Sequence, residues 1–304
     1  MGYLGIRHNR SKGLLALPAV LLVAAGHVQW VFNALHVPAG FQPFGIDVHF
    51  YQLGTMAALL MFTVRLLQRF FRGQRERDQL QQEMEQARQV QQILVPDAMP
   101  ALPAFTVESE YRSARHVGGD FFQILPEDDN SLLLIIGGVS GKGLKSAMLV
   151  SMIVGAIRVV VDHAKEPIKI LEDLNRHLCG RIGQQFATCL VVRIAADGRC
   201  IVANAGHLAP YHNGCEVPLA GSMPLGLVEG ADFEQVGLTL EPGDRLVMIT
   251  DGIVEATEAK QQLFGFERTM ELVGRSHSAA EVAAATQRFG QEDDITVLSL
   301  VRTA

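Results

Sequence analysis

Two apolar stretches with helical spacing, Leu144 to Val161 and Ile168 to Arg181, follow one another with no strand-like run between them. In a doubly wound parallel sheet, strands and helices alternate strictly, because each parallel strand is reached through a crossover. Two helices in succession break that alternation. Short strand-like runs surround them, at Thr106–Tyr111, Phe121–Leu125, Leu132–Ile136, Thr188–Ile194, Cys200–Asn204, Arg245–Thr250 and Ile295–Val301. Further helical stretches are read at Phe266–Val273 and Ala279–Phe289. This order predicts an α+β domain over 105–302, with antiparallel sheets and helices on the outside. A chain of 304 residues has room for about two domains.

The N-terminus differs in kind. Between Gly13 and Val64 there is no Lys or Arg, and the only acid is Asp47. Leu14–Ala34 has about the 20 residues that cross a bilayer as a helix. Asp47–Leu67 approaches that length, so two transmembrane helices are expected, at about 14–34 and 47–67, in a membrane region 1–70. Arg7, Arg10 and Lys12 lie on one flank, and Arg65, Arg69, Arg72, Arg75 and Arg77 on the other. The positive-inside rule places both flanks in the cytoplasm, as a multi-pass protein of the inner membrane, with Leu35–Phe50 as a short outside loop. No small-residue cleavage site follows the first segment, which argues against a signal peptide. His27, His36 and His49 read as solvated side chains rather than a metal site.

Beyond the membrane region the composition turns to Gln, Glu and Arg. Leu80, Met84, Ala87 and Leu94, with Gln91 at the intervening seam position, form a short heptad pattern. A helical linker over 71–96 is expected, pairing as a homodimeric coiled coil through 76–96. Gly73 suggests a joint ahead of it, and Pro96, Pro100 and Pro103 end it. The formal charge of -6 disfavours a nucleic-acid partner. Cys179, Cys189, Cys200 and Cys215 show no metal-ligand spacing and read as free thiols.

Chemistry is expected where acids sit beside glycines at strand ends. Asp120 follows Gly118-Gly119, and Asp251 ends an apolar run and precedes Gly252. Asp293-Asp294 precedes the last strand, and Gly137-Gly138-Val139-Ser140-Gly141-Lys142-Gly143 is a turn leading into a helix. Short acidic side chains supply the oxygen ligands that Mg²⁺ or Mn²⁺ prefers, and glycine lets backbone and water approach. Two such ions could activate a bridging water for hydrolysis. The Gly-Lys turn is not a nucleotide P-loop: Ile136 stands where its first glycine belongs and Gly143 where its Ser or Thr belongs.

Taken together, these pieces resemble the PPM/PP2C-type serine phosphatases of the bacterial SpoIIE and RsbU branch. The resemblance runs from the lead-in Ala87–Pro96 through Ala114–Phe122, Val139–Gly143, Ala203–His207 with Pro210, Pro224–Gly226 and Thr250–Ala256 to Gln291–Thr296. It implies an α-β-β-α sandwich of two antiparallel sheets flanked by helices. It implies removal of phosphate from phosphoserine or phosphothreonine in a protein, with Mn²⁺ or Mg²⁺ as cofactor. The substrate implied is an anti-anti-sigma-like (STAS) regulator in a partner-switching pathway. Asp120, Asp251 and Asp293 match the family's metal ligands and catalytic positions, with the Val139 backbone as a further donor. Asp294, Gly119, Gly252 and His207 are auxiliary.

Two departures from the family pattern matter. The family has Asp where this chain has Gly138, and that Asp bridges both metals. Gln123 stands where an Asp is frequent, a lesser change. Replacing a shared carboxylate with hydrogen removes a ligand from each ion and a negative charge from between two cations. Two readings therefore stand: a membrane-anchored phosphatase, and a pseudophosphatase that binds a phosphoprotein without turning it over.

Overall fold

A computed structural model describes residues 24, 26–35, 40–41, 43, 48–92, 104–114, 117–258 and 262–303. The chain divides into two compact units, Met1–Gln81 and Gln82–Ala304.

In the first unit, residues 26–34 are helical, and 14–23 of the first expected span lie outside the described residues. Helix α1 runs over Phe50–Gln92. Over Gln52–Arg75 it is long and apolar enough to cross a membrane, by length and composition. At ~1.5 Å per residue those 24 residues reach about 36 Å. The expected start at Asp47 is corrected: Val48–His49 pairs antiparallel with Gly40–Phe41, and the helix begins only at Phe50. The expected joint at Gly73 is also corrected, since the helix passes through it unbroken. A glycine costs a helix interior about 1 kcal/mol, which the long run of Arg, Gln and Glu around it outweighs. The backbone of the proposed coiled coil is helical to Gln92, while its seam side chains and Leu94 lie outside the described residues.

The second unit carries two five-stranded antiparallel sheets. The strands are β1 (Phe105–Arg112), β2 (Asp120–Pro126), β3 (Leu132–Val139), β4 (Ala187–Ile194) and β5 (Arg199–Ala205). They continue as β6 (Tyr211–His212), β7 (Cys215–Glu216), β8 (Glu234–Thr239), β9 (Arg245–Ile249) and β10 (Ile295–Arg302). One sheet has the order β8-β5-β4-β3-β2 and the other β1-β10-β9-β6-β7. Helices α2 (Leu144–Val160) and α3 (Pro167–Leu178) are the two consecutive helices of the sequence. After them come the one-turn α4 (Asp251–Val254), then α5 (Gly265–Arg275) and α6 (Ala279–Phe289).

Three apolar layers hold this α-β-β-α sandwich together. Leu133 and Ile135 of β3 pack with Val150, Ile153 and Ile157 of α2 and with Leu171 and Leu174 of α3. Their neighbours Leu132, Leu134 and Ile136 point the other way, against Met248, Leu298 and Leu300 of the second sheet. Val247, Ile249 and Val297 pack on the far side with Leu272, Val282 and Ala283. The unbroken apolar run of β3 follows from this, because both of its faces are covered.

β8 and the β6–β7 pair escape sequence reading. β8 is an edge strand bonded only to β5, with an alternation of exposed and half-exposed residues and a glycine at its centre. With one partner and one wet face it carries little apolar signal.

Candidate functional site

Asp120 opens β2, and Gly138 lies directly opposite it on β3. β9 ends at Ile249 and hands the chain through Thr250 to Asp251, the first residue of α4. Asp293 and Asp294 immediately precede β10, the neighbour of β9. The end of β9 is stitched to the start of β10: Thr250 N–H donates to the Thr296 carbonyl at 3.1 Å, and Thr296 N–H donates to Thr250 Oγ1 at 3.0 Å. Thr296 Oγ1 then donates to Asp120 Oδ2 at 2.7 Å, joining the two sheets at this point. Residues from four strand ends thus meet at one end of the sandwich.

Asp294 acts as a clamp. Its Oδ1 accepts the N–H of Ala114 at 2.9 Å, and its Oδ2 accepts that of Gly119 at 2.6 Å. Both bonds hold the segment that presents Asp120, so Asp294 orients that strand end rather than facing water. Gly119 serves as the donor in this clamp, and the Val139 carbonyl lies alongside it. At Gly252 a Cβ would overlap the Asp294 carbonyl, so the close passage of α4 requires glycine there.

The carboxylates raise one another's proton affinity. Burial holds the Asp120 carboxyl well above the usual range, and the negative charges of Asp294 and Asp251 add to this, against hydrogen bonds from Thr296 and Thr250. Asp251 is raised by burial and by Glu255 and Asp293. Among the described residues, the cation in direct contact is Lys142, whose Nζ lies 2.8 Å from Asp293 Oδ2.

His207 is neutral here. Burial pushes its imidazole down to about 4, partly offset by the backbone of Ile249. Its turn is self-locked, with His207 N–H donating to Asn204 Oδ1 at 2.8 Å and Asn204 Nδ2 to the His207 carbonyl at 3.0 Å. His207 Nδ1 shares a hydrogen bond with Thr188 Oγ1 at 2.9 Å, and that hydroxyl also contacts the backbone of Gly138. His207 therefore reaches the site through Thr188 and Gly138.

Gly138 is not a conformational requirement, since its φ lies outside the left-handed region. A Cβ built there would point into the site, 3.2 Å from Asp120 Oδ1 and 3.7 Å from Thr188 Oγ1. Among the described residues no three His, Cys, Asp or Glu side chains come together to hold a metal ion. The donor type suits a hard divalent cation, but the carboxylate that two ions would share is missing. The residues present do not fit a carboxylate-bridged pair.

Asp120, Asp251, Asp293 and Asp294 lie at neighbouring strand ends, and His207 adjoins Gly138 through Thr188; Gln123, three residues after Asp120 in β2, is buried, its Nε2 donating to the Phe122 carbonyl. Thr296, Thr250 and Thr188 were missed. Thr296 carried a signal: it occupies the phase of Leu298 and Leu300, which face the opposite sheet. A polar residue in an apolar phase marks a buried hydrogen bond. Thr188 carried the same signal, standing in the phase of Leu190 and Val192 on β4, and its partner is the His207 imidazole.

Known proteins place this arrangement. The profile of Stage II sporulation protein E (SpoIIE) matches residues 128–303. Phosphoserine phosphatase RsbU of Bacillus subtilis (strain 168) is 27% identical over 184 residues, 58% of this chain and 55% of RsbU. The structure of the RsbU and RsbW domains of Rv1364c from Mycobacterium tuberculosis shares 25% identity and a TM-score of 0.56, over 67% of this chain and 63% of that one. The SiaA-PP2C domain of Pseudomonas aeruginosa shares the fold, with a TM-score of 0.65 at 20% identity over 75% of this chain and 99% of that one. The chain spans about half the length of the curated relatives it matches, 41% to 55%. The sheet order, the clustered aspartates and these matches agree: the chain belongs to the SpoIIE family of PP2C-type serine phosphatases.

Proposed function

We propose that this protein is a membrane-anchored protein serine/threonine phosphatase. Its substrate is a phosphorylated STAS-like regulator in a partner-switching pathway, and its catalytic domain lies on the cytoplasmic side. The observation that carries the reading is the meeting of Asp120, Asp251, Asp293 and Asp294 at adjoining strand ends of a sandwich matched to the SpoIIE family. Similarity to phosphoserine phosphatase RsbU supports the substrate class. The apolar helix Gln52–Arg75 supports anchoring, and the Gln- and Glu-rich end of α1 supports a homodimer through 76–96.

The chain's own residues have separable tasks. Asp294 and Thr296 fix Asp120, Thr188 and His207 line the Gly138 position, and Lys142 balances Asp293. The cofactor implied by the family resemblance is Mn²⁺ or Mg²⁺, and RsbX, which shares the fold, is solved in complex with magnesium.

Gly138 favours a second reading, a pseudophosphatase that holds a phosphoprotein without hydrolysing it. One assay separates the two: phosphate release from a phosphoserine protein in Mn²⁺ by the parent, Asp251→Ala and Gly138→Asp. Activity in the parent that Asp251→Ala abolishes sustains the phosphatase. A near-inactive parent that gains several orders of magnitude with Gly138→Asp overturns it.

A further inference from the structure

The turn Gly141-Lys142-Gly143, which matches no nucleotide motif, opens the 17-residue helix α2. Gly141 and Gly143 both have left-handed φ, 95° and 86°, which brings the chain sharply from β3 into the helix. No side chain caps this end, and the first turn carries no acid. Helix starts ordinarily recruit a Ser, Thr, Asp or Asn cap and acids in the first turn, because the first N–H groups lack carbonyl partners and the helix dipole is positive there. Here Lys142 and Lys145 add positive charge to an end that is already positive.

A second, independent observation lies inside the turn. Ser146 is 1% exposed, and its Oγ has no hydrogen-bond partner. It faces Gly141: a Cβ built on that glycine would lie 3.4 Å from Ser146 Oγ and 3.4 Å from Gln185 Nε2. A buried hydroxyl left unpaired costs about 1–3 kcal/mol, so its retention suggests a ligand. Lys142 links this end to the acidic cluster through Asp293, its side chain half exposed and two of its three ammonium donors remaining for another acceptor.

We infer that the start of α2, with Lys142, its free N–H groups and the Ser146 hydroxyl, is the anchor for the phosphoryl dianion of the substrate. This rests on the phosphatase reading and deepens it. With the shared carboxylate absent at Gly138, protein-borne positive charge holds the phosphate beside Asp293. Binding at this anchor therefore needs no added metal.

Inorganic phosphate binding to the detergent-solubilised full chain in EDTA, measured by calorimetry, tests it. The wild type is expected to bind, weakening steeply with salt. Lys142→Gln should weaken binding at least tenfold and Lys142→Arg less than threefold. Ser146→Ala should weaken it about three- to tenfold while leaving thermal stability equal or higher, a pairing that a merely structural serine would not produce. Unchanged affinity in both Lys142→Gln and Ser146→Ala, or no binding without metal, overturns the inference. Turnover is read separately. A protein that binds phosphate through Lys142 but hydrolyses nothing keeps the anchor and loses the phosphatase reading. One that hydrolyses substrate, with phosphate affinity indifferent to both substitutions, does the reverse.

Discussion

Replacing Gly138 with Asp puts a carboxylate where the backbone already points a Cβ at Asp120. The Cβ itself would lie 3.2 Å from Asp120 Oδ1, a contact relieved by a shift of a few tenths of an ångström. The two carboxyl groups would then sit ~5 Å apart. At an effective dielectric of ~20 their repulsion is about 3 kcal/mol when both are charged. Asp120, already held high by burial and by Asp294, escapes part of this by keeping its proton. The expected loss in EDTA is therefore about 1–3 kcal/mol, a fall in Tm of about 2–10 °C for a domain of this size. Mn²⁺ should reverse it, because a cation between two carboxylates turns repulsion into coordination. At ~100 times its Kd the ion contributes about 2.7 kcal/mol. Differential scanning calorimetry of parent and variant, with EDTA and with Mn²⁺, reads both effects. A variant as stable as the parent in EDTA, with no added Mn²⁺ response, would refute the placement of side chain 138 against Asp120.

The other titrating groups and contacts make further predictions. Asp120 binds its proton more tightly folded than unfolded, so its effect on stability is favourable at low pH and lost as pH rises from ~3.8 through the raised folded value. Asp120→Asn should accordingly gain stability over the parent in EDTA with rising pH; a constant difference from pH 4 to 8 would contradict this. His207 has the opposite sense: a depressed imidazole loses stability as pH falls from 6.5 to about 4, by about 3 kcal/mol in full. Urea denaturation of His207→Gln across that range should show the acid-side loss diminished. Asp294→Ala removes a charged acceptor from the N–H groups of Ala114 and Gly119 and should cost about 2–3 kcal/mol in the same measurement, together with faster amide exchange at both. Deleting residues 1–75 should release the protein from membranes under conditions where the full chain sediments with them; co-sedimentation of the truncated form would argue for another anchor.

Much of this was legible in residue order. Consecutive helices after the Leu132–Ile136 run excluded a parallel sheet, and the structure has two antiparallel sheets with α2 and α3 packed on one of them. Local pattern sufficed because β3 and α2 each bury apolar faces that repeat at the period of the element itself. The acids flanked by glycines were legible for a similar reason, since a carboxylate at a strand end beside Gly118, Gly119 or Gly252 is a local signature. Gly73 misled because a glycine's local cost is small against a long helix on either side.

Long-range matters were decided by tertiary structure alone. No local pattern says that Thr296 reaches Asp120 across 176 residues, or that Asp294 clamps Ala114 and Gly119 from the far end of the chain. Those bonds exist because the sandwich brings the starts of β2 and β10 together, and pairing between distant strands is written in no single stretch. Sequence by itself determined which residues can carry charge and that position 138 lacks a carboxylate. Packing decided that the Cβ direction of Gly138 faces Asp120, that Lys142 meets Asp293, and that Ser146 is buried without a partner. Side-chain direction and desolvation are properties of the assembled sheets and helices, and they exist only once distant segments share one interior.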